Sequence, residues 1–170
     1  GILGLGNIGY QIARRAIGFD MRILYHNRRP RQDVASKVGA EWVPLDHLLS
    51  ESDFVAVIVP LSPQTRNLIG RRELALMKPT ATLVNVARGG VVDTAALTDA
   101  LQAKQIYAAA LDVTEPEPLP RDHPLLTLDN VTLTPHLGSA TVQTRRRMAE
   151  LSVENLLAGL DGRPLTCRIA

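Results

Sequence analysis

The sequence has little of what marks secreted or membrane-spanning proteins. Its 170 residues include one cysteine, Cys167. A single cysteine excludes an internal disulfide and favours a reducing compartment, so we expect a cytoplasmic protein. No apolar run approaches the roughly 18 residues that a membrane span requires. The first residues also lack the charged and apolar regions of a secretion signal. We therefore expect no contact with membranes.

The sequence also has few candidate metal ligands and only a small excess of positive over negative charge. One cysteine excludes a multi-cysteine zinc site, and His26, His47 and His123 show no metal-ligand spacing, so no metal site is predicted. The formal net charge of +2 does not indicate a nucleic-acid-binding protein. Two basic clusters, Asn27–Arg31 and Arg145–Arg147, lie far apart in sequence. We expect no nucleic-acid partner.

The sequence contains short apolar runs that alternate with helical patterns. With 45% hydrophobic and 21% charged residues, the composition is that of one ordinary globular domain. Several runs are apolar on both faces, which is typical of a parallel sheet covered by helices on both sides. We predict a doubly wound parallel α/β sheet, the Rossmann fold, ordered as βαβαβ twice. The six predicted strands are Ile2–Leu5, Arg22–His26, Phe54–Val59, Ala81–Val86, Ala108–Val113 and Val131–Pro135.

Helical patterns fill the segments between these strands. Asp93 stands where a capping residue is expected, and Arg146 precedes Glu150 by four residues, the spacing of a helical ion pair. The predicted helices are Ile8–Ile17, Arg71–Met77, Thr94–Ala103 and Ala140–Leu160.

The chain opens with the stretch GILGLGNIGY, in which Gly4, Gly6 and Gly9 match the G-x-G-x-x-G fingerprint. Glycines in this pattern let backbone amides at a helix N-terminus approach a pyrophosphate. Such triplets also occur in ordinary turns. Here they follow an apolar strand, precede a helical run and open an alternating β/α chain, which is the setting that the motif requires. The stretch therefore predicts a dinucleotide site.

The end of the second predicted strand indicates which dinucleotide is preferred. An acidic residue about 20 positions after the glycines would accept hydrogen bonds from the ribose of NAD. The sequence instead has Asn27, Arg28 and Arg29 at this point. Arginines can pair with a 2′-phosphate through forked hydrogen bonds. We predict that NADP(H) is preferred and that NAD(H) can also bind, while a solvated arginine loop is the alternative.

Charged side chains follow the last three predicted strands. Arg88, Asp112 with Glu117, and His136 stand there in chain order. Hydride transfer to a ketone builds negative charge on oxygen, so a proton donor such as His136 and a fixed cation such as Arg88 would lower the barrier. Glu117 would orient the imidazole and keep it protonated near neutral pH. Arg88 could grip the carboxylate of a small 2-oxo acid.

Each of these residues also has an ordinary structural explanation. His136 could be a surface or capping histidine, Glu117 between two prolines could be part of a turn, and Arg88 could satisfy nearby carbonyl or carboxylate groups. Their placement after successive strands favours a joint catalytic role.

The stretches GLGNIG, NVARGG, LDVTEPEPLP, HPLLTLDNV and PHLGSAT together make the chain resemble the D-2-hydroxyacid dehydrogenases, and most closely the glyoxylate/hydroxypyruvate reductases. The resemblance spans nearly the whole chain. It implies that Arg88 binds the substrate, that His136 is the general acid with Glu117 as its partner, and that Asp112 contacts the nicotinamide amide. It implies a dinucleotide-binding set of Gly4, Gly6, Asn7, Ile8, Gly9, Asn27, Arg28, Arg29, Val59, Pro60, Val86, Ala87, Asp112 and Gly138.

The resemblance also implies that this chain is the nucleotide-binding domain without the substrate domain of the family. We expect residues 1–161 to form the dinucleotide-binding domain and residues 162–170 to form a tail that would return to the substrate domain. Little or no turnover is expected from these residues alone. A homodimer is compatible with the family.

A second class of function stays open. Some relatives of the family act as transcriptional corepressors, in which the dinucleotide is a conformational ligand for a non-catalytic protein-interaction module. A dinucleotide that strengthens a peptide interaction without any need for His136 would favour that interpretation.

Overall fold

The computed structural model describes residues 1–167, which form two compact units. The first unit covers residues 1–135, and the second begins at His136. The domain bounds expected from the sequence, 1–161 and 162–170, remain a prediction. Residues 168–170 of the predicted tail lie outside the described residues.

The first unit contains a sheet of seven strands, all parallel to their neighbours. The strands are β1 (Ile2–Leu3), β2 (Leu24–His26), β3 (Glu41–Trp42), β4 (Phe54–Val57), β5 (Thr82–Asn85), β6 (Ala108–Leu111) and β7 (Val131–Leu133). Their order across the sheet is β3-β2-β1-β4-β5-β6-β7. This order confirms the predicted doubly wound fold, with β1 and β4 at the point where the direction of winding reverses.

Helices connect the strands and cover the sheet. The α-helices are α1 (Asn7–Ala16), α2 (Gln32–Ala35), α3 (Leu45–Glu51), α4 (Arg71–Leu76), α5 (Thr94–Gln102) and α6 (Val142–Leu160). Short 3₁₀ helices cover Ile17–Phe19, Gly89–Val91 and Pro124–Thr127. The first five α-helices belong to the first unit, and α6 belongs to the second.

Side chains of neighbouring strand residues point to opposite faces, and both faces are buried. Ile2 and Tyr25 pack with α1 and α2 in one apolar cluster, whereas Leu3 and Leu24 belong to a second, larger cluster. This alternation follows from the two-residue period of a strand. Because both faces are covered, the central strands are apolar at nearly every position, as the sequence predicted.

The prediction of six strands is wrong by one. The missed strand is β3, whose two residues, Glu41 and Trp42, are both exposed at the edge of the sheet. An exposed edge strand needs no apolar run, so it carried no signal. The other strands were predicted at the right places but up to two residues too long. The excess is at the amino end of β2, at both ends of β5 and at the carboxyl ends of the other four strands, where the chain turns into the loops described below.

Two predicted local interactions are confirmed. Asp93 caps α5, since its Oδ1 accepts a hydrogen bond from the N–H of Ala96 at 3.0 Å. In the second unit, Nε of Arg146 donates to Oε1 of Glu150 at 2.8 Å. Helix α6 begins after Thr141, whose hydroxyl accepts from the N–H of Thr144.

Candidate functional site

The carboxyl ends of β1 and β4 carry the first predicted site residues. In a doubly wound sheet, the loops that follow these two neighbouring strands lead away in opposite directions and leave a crevice. The loop after β1 holds Gly4 and Gly6, and the loop after β4 holds Val59 and Pro60. A Cβ at Gly4 would lie 3.0 Å from the backbone nitrogen of Val59, so the two loops are in close contact.

The three glycines of the fingerprint differ in their backbone conformation and in the space around them. Gly4 has a φ of +109°, which side-chain-bearing residues rarely adopt. A Cβ at Gly9 would lie only 2.2 Å from the carbonyl oxygen of Gly4, so α1 packs against the loop at a distance that only glycine permits. A Cβ at Gly6 would meet no atom within 4 Å. The loop is therefore tight at its two ends and open at its middle.

The open position lies at the start of α1. Gly6 is the N-cap residue of this helix, and Asn7 and Ile8 form its first turn with exposed side chains. N–H groups in a first turn have no acceptor within the helix and can receive an anion. A Cβ at Gly6 would meet open space beside these amides, so Gly4, Gly6, Asn7, Ile8 and Gly9 could hold the dinucleotide through its pyrophosphate.

The loop after β2 carries the residues expected to select the cofactor. Oδ1 of Asn27 accepts a hydrogen bond from the N–H of Leu5 at 2.7 Å, which joins this loop to the glycine loop. The guanidinium groups of Arg28 and Arg29 are exposed and make no hydrogen bond or ion pair within residues 1–167. Arg31, in contrast, pairs with Asp33 at 2.9 Å, and its guanidinium lowers the pKa of that carboxyl.

The loop after β5 carries Arg88 and is shaped by a buried asparagine. Asn85 is 1% exposed; its Nδ2 donates to the carbonyl oxygen of Arg88, and its Oδ1 accepts from the N–H of Ala87, each at 3.0 Å. Nη1 of Arg88 donates to the carbonyl oxygen of Ala87 at 2.6 Å. Ala87 is buried, whereas Val86 is 40% exposed. Sequence reasoning missed Asn85, although a polar residue at the end of an apolar run was a usable signal.

Asp112 lies directly after β6, next to the Arg88 loop. Its backbone N–H donates to the carbonyl oxygen of Asn85 at 2.9 Å, and its Oδ1 accepts from the hydroxyl of Thr134 at 2.5 Å. These bonds connect the carboxyl ends of β5, β6 and β7. The first unit therefore brings Arg88, Asp112 and the glycine loop to the same end of the sheet, where the strands have their carboxyl ends.

The segment with Glu117 is anchored beside the Arg88 loop. Nη1 of Arg66 lies 2.9 and 3.1 Å from the two carboxylate oxygens of Glu115, and the hydroxyl of Thr94 donates to the carbonyl oxygen of Glu115 at 2.8 Å. A Cβ at Gly89 would lie 2.0 Å from the carbonyl carbon of Thr114. Glu117 itself is exposed, and its Oε2 lies 3.4 Å from the backbone nitrogen of Thr114. Sequence reasoning missed this anchor because Arg66 and Glu115 are 49 residues apart.

His136 and Gly138 belong to the second unit, ahead of α6. Both are exposed, and His136 has a φ of 56°. The pairing of His136 with Glu117 that the sequence predicts remains a prediction.

One cavity of about 410 Å³ lies at the opposite edge of the sheet, at the amino ends of β1, β2 and β4. It is lined by Gly1, Arg22, Glu51, Asp53 and Phe54 among others and by none of the predicted site residues. No group of three or more His, Cys, Asp or Glu side chains among residues 1–167 could hold a metal ion. Within the same residues, no helix has the length and apolar character needed to cross a membrane.

Comparison with known sequences identifies relatives of this arrangement. A sequence model of the family described as D-isomer specific 2-hydroxyacid dehydrogenase, NAD binding domain, matches residues 1–138. The glyoxylate reductase of Thermococcus onnurineus is 54% identical over 162 residues, which cover 95% of this chain and 48% of that protein. The glyoxylate/hydroxypyruvate reductase B of Enterobacter agglomerans is 52% identical, with 96% of this chain and 51% of that protein covered. The chain spans about half the length of these curated relatives.

A solved structure agrees with the sequence comparison. The crystal structure of the TT0316 protein from Thermus thermophilus superimposes with a TM-score of 0.93 at 46% identity, covering 100% of this chain and 53% of that one. The match to the family model extends over more than three quarters of the chain. The chain therefore belongs to the D-isomer specific 2-hydroxyacid dehydrogenase family and carries its NAD binding domain.

Proposed function

We propose that this chain is the cofactor-binding part of an NADP(H)-dependent reductase that converts small 2-oxo acids of the glyoxylate and hydroxypyruvate type to D-2-hydroxy acids. The observation that carries the proposal is the glycine loop, open above Gly6 and joined through Asn27 to a loop with two arginines that pair with no other described residue. The names of the curated relatives, glyoxylate reductase and glyoxylate/hydroxypyruvate reductase B, support the substrate class.

The preference for NADP(H) is supported by the charges at the carboxyl end of β2. Asp33 is the acidic residue in this region, and it is already paired with Arg31. Arg28 and Arg29 are left to bind an anion, and the 2′-phosphate is the group by which NADPH differs from NADH. The adenine would lie against Val59 and Pro60, and the pyrophosphate would lie at Gly6 and the first turn of α1.

Arg88 and Asp112 are proposed to orient the two reacting molecules. The guanidinium of Arg88 would hold the carboxylate of the 2-oxo acid, and Asp112 would contact the nicotinamide amide, with Val86, Ala87 and Gly138 beside the ring. When bound, the reduced nicotinamide supplies the hydride.

His136 and Glu117 are proposed to complete the reaction. Negative charge develops on the carbonyl oxygen of the substrate, where His136 would donate a proton and Arg88 would stabilise the charge. Glu117 would hold the imidazole in orientation and favour its protonated form. Because the curated relatives are twice as long, we expect little turnover of glyoxylate by this chain alone. The proposal includes a cytoplasmic location and a homodimer; sedimentation velocity would measure the latter.

Calorimetric titration of NADPH and NADH tests the cofactor assignment. We expect tighter binding of NADPH, and we expect the double variant Arg28→Ser/Arg29→Ser to lose that preference by a factor of about ten or more, since it removes charge-assisted hydrogen bonds. The double variant Arg71→Ser/Arg72→Ser is a matched control, because it removes an adjacent arginine pair from α4 and changes the net charge equally. Equal affinities in the wild-type chain would refute the NADP(H) preference.

A further inference from the structure

Asp112 and Thr134 are neighbours across the carboxyl ends of β6 and β7. The last paired residues of these strands are Leu111 and Leu133, and the N–H of Thr134 continues the ladder by donating to the carbonyl oxygen of Leu111 at 2.9 Å. Residues that lie opposite each other on neighbouring strands project to the same face of a sheet. The hydroxyl of Thr134 accordingly meets the carboxylate of Asp112, with 2.5 Å between Oγ1 and Oδ1.

The backbone of Asp112 is held by the strand on its other side. Its N–H donates to the carbonyl oxygen of Asn85 at 2.9 Å. Asn85 is the buried residue whose side-chain amide also shapes the Arg88 loop. The position of the Asp112 backbone is therefore set by β5 and β6, whereas the rotation of its carboxylate is set by contacts of the side chain.

Thr134 restrains this rotation. The terminal torsion of an aspartate is broad, because a bond to an sp² carbon has no deep staggered minima. A hydroxyl that donates to an ionised carboxylate forms a short, charge-assisted hydrogen bond, which is about twice as strong as a neutral one. The bond from Thr134 thus keeps Oδ1 of Asp112 directed toward β7.

A carboxylate with a fixed direction suits a ligand whose amide must be held in one orientation. The carboxamide of a nicotinamide has an NH₂ donor on one side and a carbonyl acceptor on the other, so a carboxylate can accept a hydrogen bond from one of the two sides only. The side that is held determines how the ring is turned. Hydride transfer depends on this, because the reacting carbon has to face the substrate.

The bond between Thr134 and Asp112 also has an ordinary structural explanation, which is that it closes the ends of two strands. Thr134 is exposed, and a typical hydrogen bond contributes little to the free energy of unfolding. A purely structural bond would affect every ligand of the first unit to the same extent. A bond that orients Asp112 would affect only ligands that carry the nicotinamide.

We propose that Thr134 is a positioning residue for the nicotinamide: its hydroxyl fixes the direction of the Asp112 carboxylate, and Asp112 in turn holds the carboxamide of the ring. This inference rests on the proposed function, in which Asp112 contacts the nicotinamide amide. It adds a residue that acts through Asp112.

Two ligands that differ in the nicotinamide test this inference. NADPH and 2′-phospho-ADP-ribose share the phosphorylated adenosine and the pyrophosphate, but the second ligand lacks the nicotinamide ring. Thr134→Val keeps the branched shape of the side chain and loses the hydroxyl. We expect calorimetry to show about tenfold weaker binding of NADPH and unchanged binding of 2′-phospho-ADP-ribose. Thr134→Ser keeps the hydroxyl and should restore most of the NADPH affinity.

A double-mutant cycle tests whether Thr134 acts through Asp112. Asp112→Ala should weaken NADPH binding, and Thr134→Val added to Asp112→Ala should cause no further loss. The fluorescence of bound reduced nicotinamide gives a second readout, since at saturation it should change in Thr134→Val and match the wild type in Thr134→Ser. Thr127→Val is the matched control, because the hydroxyl of Thr127 donates to the carbonyl oxygen of Pro124 at 2.8 Å. It should leave both affinities unchanged.

The outcomes distinguish this inference from the proposed function. Unchanged NADPH binding in Thr134→Val, or an equal loss for both ligands, would overturn the positioning function. Additive losses in the double variant would overturn it as well, because Thr134 would then act independently of Asp112. Equal affinity of the wild-type chain for NADPH and NADH would refute only the NADP(H) preference, since NADH and ADP-ribose then test Thr134 in the same way. Binding of neither dinucleotide would refute the cofactor role and this inference with it.

Discussion

Gly6 caps helix α1 and Gly9 lies three residues later in the same helix, yet a methyl group should have opposite effects at the two positions. Gly9→Ala places a Cβ 2.2 Å from a backbone oxygen, and overpacking of this kind costs about 1–3 kcal/mol of unfolding free energy. We expect the melting temperature to fall by roughly 5 °C.

Gly6→Ala should leave the melting temperature almost unchanged, because the added methyl group meets open space and the backbone has a φ of −97°. The methyl group would occupy the approach of the pyrophosphate, so NADPH affinity should fall strongly. Calorimetry and thermal denaturation of both variants check this pair. A Gly6→Ala variant that binds NADPH normally would contradict the placement of the pyrophosphate.

The α-amino group of Gly1 should make stability depend on pH in the chain that begins with this residue. Burial lowers the pKa of its ammonium to about 6, from 8.0. Between these values the unfolded chain binds more protons than the folded one, so the free energy of unfolding should rise by about 2 kcal/mol from pH 6 to pH 8. Chemical denaturation across this range measures the slope. Acetylation of Gly1 removes the titrating group and should remove this part of the slope.

Single residues also show where sequence reasoning about the site was limited. The charged residues were predictable because they follow apolar strands, and each side-chain type suggests a chemistry. The contacts that hold the loops of these residues in place were not predictable, because they join residues far apart in sequence. Asn27 and Trp42 are 15 positions apart, and Arg66 and Glu115 are 49 positions apart. Such pairs leave no periodic pattern in the sequence.

At the scale of secondary-structure elements, predictability followed apolar composition. Five of the six strands that were found contain buried residues, and β7 was found from its apolar residues although none of them is buried, whereas β3 has two exposed residues and no apolar run and was missed. Helix α2 has only four residues, which is too short for a period to show. Helix α3 could have been found, since Leu45, Leu48 and Leu49 have helical spacing.

Helix α5 provides a test of one element's contribution. Asp93→Ala removes the side chain that accepts the N–H of Ala96, and the loss of such a cap costs about 1 kcal/mol. We expect a fall in melting temperature of roughly 2–4 °C. Asp93→Asn retains a capping oxygen and should restore most of the stability. Asp99→Asn, which breaks only an exposed ion pair with Arg71, should have almost no effect.

At the scale of the whole molecule, cofactor binding should stabilise the folded chain independently of His136. A ligand at about one hundred times its Kd adds about 2.7 kcal/mol to the free energy of unfolding. We expect saturating NADPH to raise the melting temperature equally in wild type and in His136→Gln, because His136 is proposed to act on the substrate. The Arg28→Ser/Arg29→Ser variant should gain much less. An effect of His136→Gln as large as that of the arginine changes would contradict the division of roles.

The order of the strands has a consequence for synthesis of the chain. Strand β1 has two residues and is paired on one side with β2 and on the other with β4, whose last residue is Val57. A ribosome adds about 5–20 residues per second, so β1 waits roughly 3–10 s between its own translation and that of β4. During that interval Ile2 and Leu3, which end up in the middle of the finished sheet, have a partner on one side at most. The segment that positions the glycine loop is thus translated before one of its two partner strands, and its pairing is completed only after Val57 has been made.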